Sequence, residues 1–319
     1  MKERENEKTQ AREAAGTWSG LAADLARLVG PGNVRVNEPL SAHTSFRVGG
    51  PADCMVFPRS EEQVEAVLRF CRTRNIPVLV IGRGSNLLVR DGGVRGVVVK
   101  LADNFAQWEI EGREVWAQAG ITLRRLALQT ALAGLTGLEF ASGIPGALGG
   151  AVVMNAGAYG GEIKDVLVTA TVLDQNLERR EMSPAELQLS YRYSILQKER
   201  MLVLSARLRL SRGEPGAIMR QIDDLWERRA SRQPLEYPSA GSVFKRPPGR
   251  YVGPMIQELG LQGFRIGGAE VSQKHAGFIV NRGGATARDI LELIEYVRAR
   301  VRERFGVELE PEVRIVGDP

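Results

Sequence analysis

Seven glycines fall within the nineteen residues from Gly143 to Gly161. Each glycine loses more backbone entropy on folding than any other residue, so this density is kept where backbone must pass close to a flat or charged ligand. A linker would be more polar, whereas Ile144, Leu148 and Val152-Val153-Met154 run through this stretch. The segment reads as a ligand-binding loop, with a packing motif as the plainer alternative. A second loop, Gly82-Arg83-Gly84-Ser85-Asn86, follows the apolar run Val78-Leu79-Val80-Ile81, which predicts a buried strand. Its glycines let amides approach a pyrophosphate, and Ser85 and Asn86 add donors. No glycine stands three residues after Gly84 and no helix follows, so this is not the G-x-G-x-x-G fingerprint.

Around these loops the chain reads as α+β. Its 319 residues suit two or three domains. Residues 1–18 form a charged tail outside the fold, disordered or helical, and Met1 to Ala15 lacks the apolar stretch of a secretory signal. In residues 19–102, Ser60 and Gln63 predict a capping box ahead of a helical stripe of Val64, Val67, Leu68 and Cys71. Strands at Val78–Ile81 and Gly96–Leu101 complete a β-α-β unit. In residues 103–212, strands around Trp108–Ile110, Val115–Ala119, Val166–Leu173 and Met201–Leu210 surround a helix from Thr122 to Ala133. Arg212-Gly213-Glu214-Pro215-Gly216 marks a boundary, and residues 213–319 open on a helix from Ala217 to about Arg232. A last helix is capped by Thr286 and Asp289, striped by Ile290, Ile294, Val297, Val301 and Phe305, and closed by Gly306 before a strand at Val313–Val316.

The net charge of +5 and pI near 9.4 would suit a nucleic-acid module, yet the basic residues alternate with acids, as in Glu227-Arg228-Arg229 and Arg298 to Arg304. That is the pattern of a solvated helix face, and no aromatic stacking platform accompanies it. A basic balance equally suits an enzyme of phosphorylated anions. Two cysteines, Cys54 and Cys71, exclude a disulfide scaffold and fit a reducing compartment. His43 and His275 stand apart with no ligand cluster, which argues against a metal site. No apolar run reaches the length of a membrane span.

Seven segments, in order, closely resemble the UDP-N-acetylenolpyruvoylglucosamine reductase family, in the subclass without an extra substrate-covering loop. They are Asn37–Asp53, Ile81–Leu88, Gly143–Gly161, Leu189–Leu196, Gln233–Pro247, Gly263–Asn281 and Glu308–Gly317, and the likeness runs from about Leu21 to Gly317. The resemblance implies a vanillyl-alcohol-oxidase-type FAD-binding fold of two α+β subdomains, with a C-terminal α+β substrate-binding domain. It implies bound FAD, NADPH as co-substrate, and UDP-N-acetylglucosamine enolpyruvate as the molecule reduced, in cytoplasmic synthesis of UDP-N-acetylmuramate for peptidoglycan. No nucleic acid, membrane or obligate protein partner is expected. A flavin oxidase of the same fold, acting on an alcohol or sugar, is the alternative.

In that family NADPH reduces the flavin, flavin N5 passes hydride to the vinyl carbon distal to the substrate carboxylate, and a protein acid protonates the other carbon. By resemblance, Arg192 polarises the carboxylate, which a permanently charged planar fork suits. Glu312 is the second polarising group and needs a raised pKa to help beside another carboxylate. Ser242 donates the proton. Substrate contacts carry over to Tyr191, Arg229, Gln233 and Arg246, with Lys274 and Asn281 as further candidates. The flavin falls to Gly82, Gly84, Ser85, Asn86, Pro145, Gly146, Gly149, Gly150, Asn155 and Gly157, with His43-Thr44-Ser45-Phe46 lining the flavin domain.

Overall fold

The computed structural model describes residues 18–319. The tail expected over residues 1–18 therefore lies, Trp18 aside, outside the described residues. Trp18 lies in a helix that covers residues 18–29 of the described chain (α1), and it packs against the main core.

A four-stranded sheet comes first, ordered Val34–Pro39, Pro51–Val56, Val94–Lys100, Val78–Ile81. Its first pair is antiparallel and the other two are parallel. Helix α2, Glu61–Thr73, supplies the crossover that parallel strands require. Ser60 caps it by accepting from the Gln63 amide, and Val64, Val67 and Cys71 are buried as the stripe predicts. The capping box is only half formed, because the Gln63 side chain accepts from the Arg59 amide instead of that of Ser60. The central strand Val94–Lys100 is buried along most of its length. Val78–Ile81, expected to be buried, is an edge strand with Val78 exposed and only Ile81 buried. Its outer side faces the cleft described below.

The second unit is an antiparallel five-stranded sheet, ordered Arg179–Met182, Leu167–Leu173, Leu202–Arg209, Glu114–Gln118, Trp108–Glu111. Helix α3, Leu123–Leu132, is capped by the Thr122 hydroxyl. The glycine-rich segment is not one loop. It folds into a short helix α4, Leu148–Val153, and a tight hairpin that pairs Gly157–Ala158 with Gly161–Glu162. Helix α5, Ile195–Glu199, follows. Valines 56, 67 and 99 of the first unit and Ala117, Leu126 and Leu204 of the second share one continuous core.

Helix α6, Pro215–Arg232, whose first amides donate to the Glu214 carboxylate, packs Ile218 and Ile222 on Ala131 of the second unit and leads into the third unit. Helix α7, Val252–Glu258, leads to an antiparallel sheet of Arg265–Ile266, Ala269–Val271 and Ile279–Asn281, and then to helix α8, Ala287–Phe305. Thr286 and Asp289 form the reciprocal cap, and Gly306 ends α8 at φ 64°, a left-handed value that glycine adopts without penalty.

This unit does not close on itself. Its core takes in Phe46, Val48 and Leu88 from the first unit. Asp91 accepts from the Ala287 and Arg288 amides at the start of α8, at 2.9 and 3.0 Å. Asn281 donates to the Phe46 carbonyl, and the last strand, Arg314–Val316, runs parallel to Leu87–Val89. That pairing carries Glu312 back to the Gly82–Asn86 loop.

Candidate active site

The three units enclose a cleft of about 950 Å³. Eight arginines line it (Arg83, Arg192, Arg200, Arg228, Arg229, Arg232, Arg246 and Arg314) against one acid, Glu312. Arg83 is paired with Asp103 and Arg192 bonds Glu312, while the other six have no acidic partner among the described residues. A concave surface with this surplus suits ligands bearing several phosphates. Reading Glu227-Arg228-Arg229 as a solvated face is corrected here, since Arg229 is buried and all three arginines of the last turns of α6 reach the cleft.

Both glycine loops border this space. Gly82, Gly84, Ser85, Asn86, Pro145, Gly146, Gly149, Gly150 and Gly157 all line it. Their need for glycine differs. Gly84 has φ +66°, and a Cβ there would stand 2.2 Å from the His43 carbonyl oxygen. Ser45 also donates its amide to the Gly84 carbonyl at 3.2 Å. The His43–Phe46 segment thus braces the loop from behind and lies outside the lining, with Phe46 in the third unit's core. At Gly149 a Cβ would meet that of Ala119 at 2.8 Å, which lets α4 press against the end of the second sheet. Gly150 is the contrary case: it is exposed, and a Cβ on it would have no described atom within 4 Å. Its bare backbone faces the open cleft, at the start of a helix where amides point outward, which fits a flat, phosphorylated cofactor lying against it.

Asn155 does not reach the cleft. It is fully buried at φ 40°, its amide donates to Glu162 and the Ser190 carbonyl, and its Oδ1 accepts from the Lys164 amide. With that capacity spent, its role is to tie the glycine hairpin to the Ser190 turn. Asn86 spends its side-chain amide on the Glu312 carbonyl at 3.0 Å.

The three candidate catalytic residues meet at the cleft from distant parts of the chain. Ser190 and Tyr193 exchange amide–carbonyl bonds of 3.1 Å, which lifts Tyr191 and Arg192 onto the tip of a turn, Arg192 with φ 54°. Arg192 Nε donates to Glu312 Oε1 at 2.8 Å, and Nη2 donates to the Gly157 carbonyl at 3.3 Å. The Glu312 amide donates to the Val243 carbonyl at 2.7 Å, so the acid is held beside Ser242 by main chain. Burial pushes the Glu312 carboxyl above its ordinary value, and the opposing pull of Arg192 is weaker. Ser242 is exposed to the cleft, and its hydroxyl makes no hydrogen bond among the described residues. The site thus presents a guanidinium fork, a carboxyl disposed to keep its proton, and a free hydroxyl.

The candidate substrate contacts divide. Tyr191 is half exposed and its hydroxyl accepts from the Arg246 amide at 3.4 Å, while the Arg246 guanidinium stacks on Tyr251 at 3.8 Å. Burial lowers the pKa of Arg229, a direction that marks a cation placed where charge is costly. Gln233 Oε1 is buried without a partner among the described residues. An unpaired guanidinium and an orphaned amide oxygen in one cleft are an open set for a polar ligand. Lys274 and Asn281 lie outside the lining: Lys274 donates to the Ala230 carbonyl at 2.6 Å, and Asn281 is spent on Phe46, Gly283 and Ala285. His275 and Arg200, which sequence reasoning passed over, do line the cleft. Burial holds the His275 imidazole below its ordinary pKa. The one signal for it was its place inside a matched segment of a chain with only two histidines.

Fold and site together define a flavin-dependent oxidoreductase. A family model described as an FAD binding domain matches residues 52–182, and one described as UDP-N-acetylenolpyruvoylglucosamine reductase, C-terminal domain, matches residues 233–316. The reductase of that name from Syntrophomonas wolfei is 51% identical over 93% of this chain and 100% of its own length. That from Caldanaerobacter subterraneus is 49% identical over 93% and 98%. The crystal structure of the Thermus caldophilus reductase superposes with a TM-score of 0.76 at 38% identity, over 88% of this chain and 99% of that one. The chain belongs to the UDP-N-acetylenolpyruvoylglucosamine reductase family, and its α+β flavin fold with a C-terminal substrate domain is the one expected.

Proposed function

We propose that the chain reduces UDP-N-acetylglucosamine enolpyruvate to UDP-N-acetylmuramate at the expense of NADPH, for bacterial peptidoglycan synthesis. The observation that carries this reading is the Arg192–Glu312 pair beside the free Ser242 hydroxyl, in a cleft whose remaining arginines are, Arg83 aside, without acidic partners among the described residues. The Gly82–Asn86 loop, with Pro145, Gly146, Gly149, Gly150 and Gly157, would hold FAD, which when bound would supply the hydride. An enol ether accepts hydride poorly unless the charge that develops toward its carboxylate is stabilised. Arg192 does so with its remaining N–H groups, and one preorganised donor is worth roughly 3–4 kcal/mol. Glu312 Oε1 is taken by Arg192, so its Oε2 carries the proton and donates to the second carboxylate oxygen. Ser242 gives its proton to the carbon bearing the carboxylate. Arg229 and Arg246 hold the diphosphate, with Gln233 and Tyr191 on the sugar nucleotide.

Residues 19–102 and 103–212 are read as the two FAD-binding subdomains and 213–319 as the substrate domain. None of the described helices is long and apolar enough to cross a membrane. We place the reaction in the cytoplasm, where NADPH and nucleotide sugars are made, with no nucleic acid and no obligate protein partner. Purified protein should be yellow, and its oxidation of NADPH should depend on the enolpyruvyl sugar nucleotide. Turnover of an alcohol or free sugar with oxygen, and none with the enolpyruvyl compound, would establish the oxidase alternative instead.

A further inference from the structure

Arg192 occupies a left-handed backbone conformation at the tip of a two-residue turn, φ 54°, which a non-glycine residue keeps only when its surroundings over-determine it. The Ser190–Tyr193 bonds close the turn but leave the Arg192 carbonyl to find a partner elsewhere. That partner is Gln197 on α5, whose Nε2 donates to the Arg192 carbonyl at 3.1 Å and to the Val153 carbonyl at 3.0 Å. Val153 is the last residue of α4, the helix that carries Gly149 and Gly150. A primary amide has two N–H donors, and both are spent here. One side chain therefore joins the cofactor-facing helix to the peptide that sets where the Arg192 fork points. No other described side chain bonds the Arg192 carbonyl, whereas the Val153 carbonyl also accepts from the Ser194 hydroxyl at 2.6 Å.

We infer that Gln197 is a positioning residue that fixes the Arg192 guanidinium relative to α4, and so relative to the hydride source and Glu312. The inference rests on the assignment of Arg192 to the substrate carboxylate. Gln197 borders the cleft, but both its amide donors are spent on main chain, so it has none left for that carboxylate. It acts through Arg192, and a fork displaced by a fraction of an ångström loses alignment in the transition state while the diphosphate contacts still hold the substrate.

The test uses the full-length holoenzyme in four forms: wild type, Gln197→Met, Gln197→Lys and Arg192→Lys. Flavin content, thermal midpoint, the two half-reaction rates by stopped flow, and substrate affinity from the shift in flavin absorbance are measured for each. Gln197→Met keeps the length and removes both donors. Flavin reoxidation at saturating substrate should fall by about tenfold or more, the scale of a sub-ångström misplacement. Flavin content, NADPH reduction and substrate dissociation constant should each stay within about threefold, because the diphosphate contacts remain intact. Gln197→Lys, whose ammonium can donate to both carbonyls, should recover most of the lost rate. An unchanged reoxidation rate in Gln197→Met, or an equal fall in both half-reactions, overturns the inference. So does loss of flavin or fold in Gln197→Met, because the amide would then be holding the scaffold. If Arg192→Lys itself leaves reoxidation intact, the failure lies in the reading of Arg192. If Arg192→Lys is slow and Gln197→Met is not, it lies in this inference alone.

Discussion

Two adjacent glycines of α4 should fail in opposite ways when each is replaced by valine. At Gly149 the new Cβ would stand 2.8 Å from Ala119 Cβ and 3.3 Å from the Ala119 carbonyl oxygen. Ala119 follows a central strand of the five-stranded sheet and its carbonyl accepts from the Gly149 amide at 2.8 Å, so neither side can yield cheaply. Overpacking a site of this kind costs roughly 1–3 kcal/mol, and valine adds two methyls to the clash. A loss near 2.5 kcal/mol would lower the midpoint of thermal unfolding by roughly 4 °C in a chain of this size. At Gly150 the Cβ meets nothing within 4 Å, and valine is a slightly better helix former than glycine. Gly150→Val should therefore leave the apoprotein as stable as wild type or slightly more so, while its side chain fills space the flavin needs. Differential scanning fluorimetry of the apoproteins, with flavin content from absorbance after reconstitution, separates the two. A Gly149→Val apoprotein that melts with wild type would refute the packing argument. A Gly150→Val protein that takes up a full complement of FAD would refute the cofactor placement.

Arg229 is buried without an acidic partner among the described residues, so Arg229→Met should melt no lower than wild type while calorimetric affinity for the sugar nucleotide falls by ~10²-fold. Glu312 has a carboxyl whose pKa is raised by burial, so folding favours its uncharged form over its charged one more than the unfolded chain does. Stability is then greatest below the ordinary carboxyl pKa and declines as pH rises toward the raised value. Glu312→Gln, which mimics the uncharged form, should melt above wild type at pH 8 and with it near pH 4, as pH-dependent melting curves will read. Flavin reoxidation in the wild type should fall as pH rises through the same ionisation, and that limb should vanish in Glu312→Gln, whose reoxidation is slower than the wild-type plateau. Asp91→Ala removes the cap that the first unit places on α8 and should cost about 1 kcal/mol, visible in chemical denaturation.

Elements set by local chemistry were legible in the sequence. The stripes of α2 and α8 and the caps at Ser60 and Thr286 stand as read, because each depends on residues within a few positions of one another. Long-range placement was not legible. Val78–Ile81 is as apolar as a buried strand, yet it is an edge strand because its uncovered side borders the cleft. Glycine density pointed to the cofactor loops but could not separate Gly149, needed for packing, from Gly150, needed for open space. Asn155 sits amid the glycine motif, and only the fold reveals that its donors and acceptor are spent internally. The meeting of Arg192 with Glu312, 120 residues apart, came from resemblance alone, since no local pattern encodes a parallel pairing between the last strand and Leu87–Val89.

The central claim is that one cleft runs two half-reactions and that its protein residues serve the second. Ser242→Ala tests this most directly, because the Ser242 hydroxyl has no structural bond to lose among the described residues. Holoenzyme is mixed anaerobically with NADPH and then, in a second mix, with UDP-N-acetylglucosamine enolpyruvate, while flavin absorbance is followed. The account predicts reduction by NADPH at the wild-type rate and reoxidation slowed by orders of magnitude, with solvent deuterium in the wild-type product on the carbon bearing the carboxylate. Reoxidation at the wild-type rate, or a loss confined to reduction by NADPH, would contradict it.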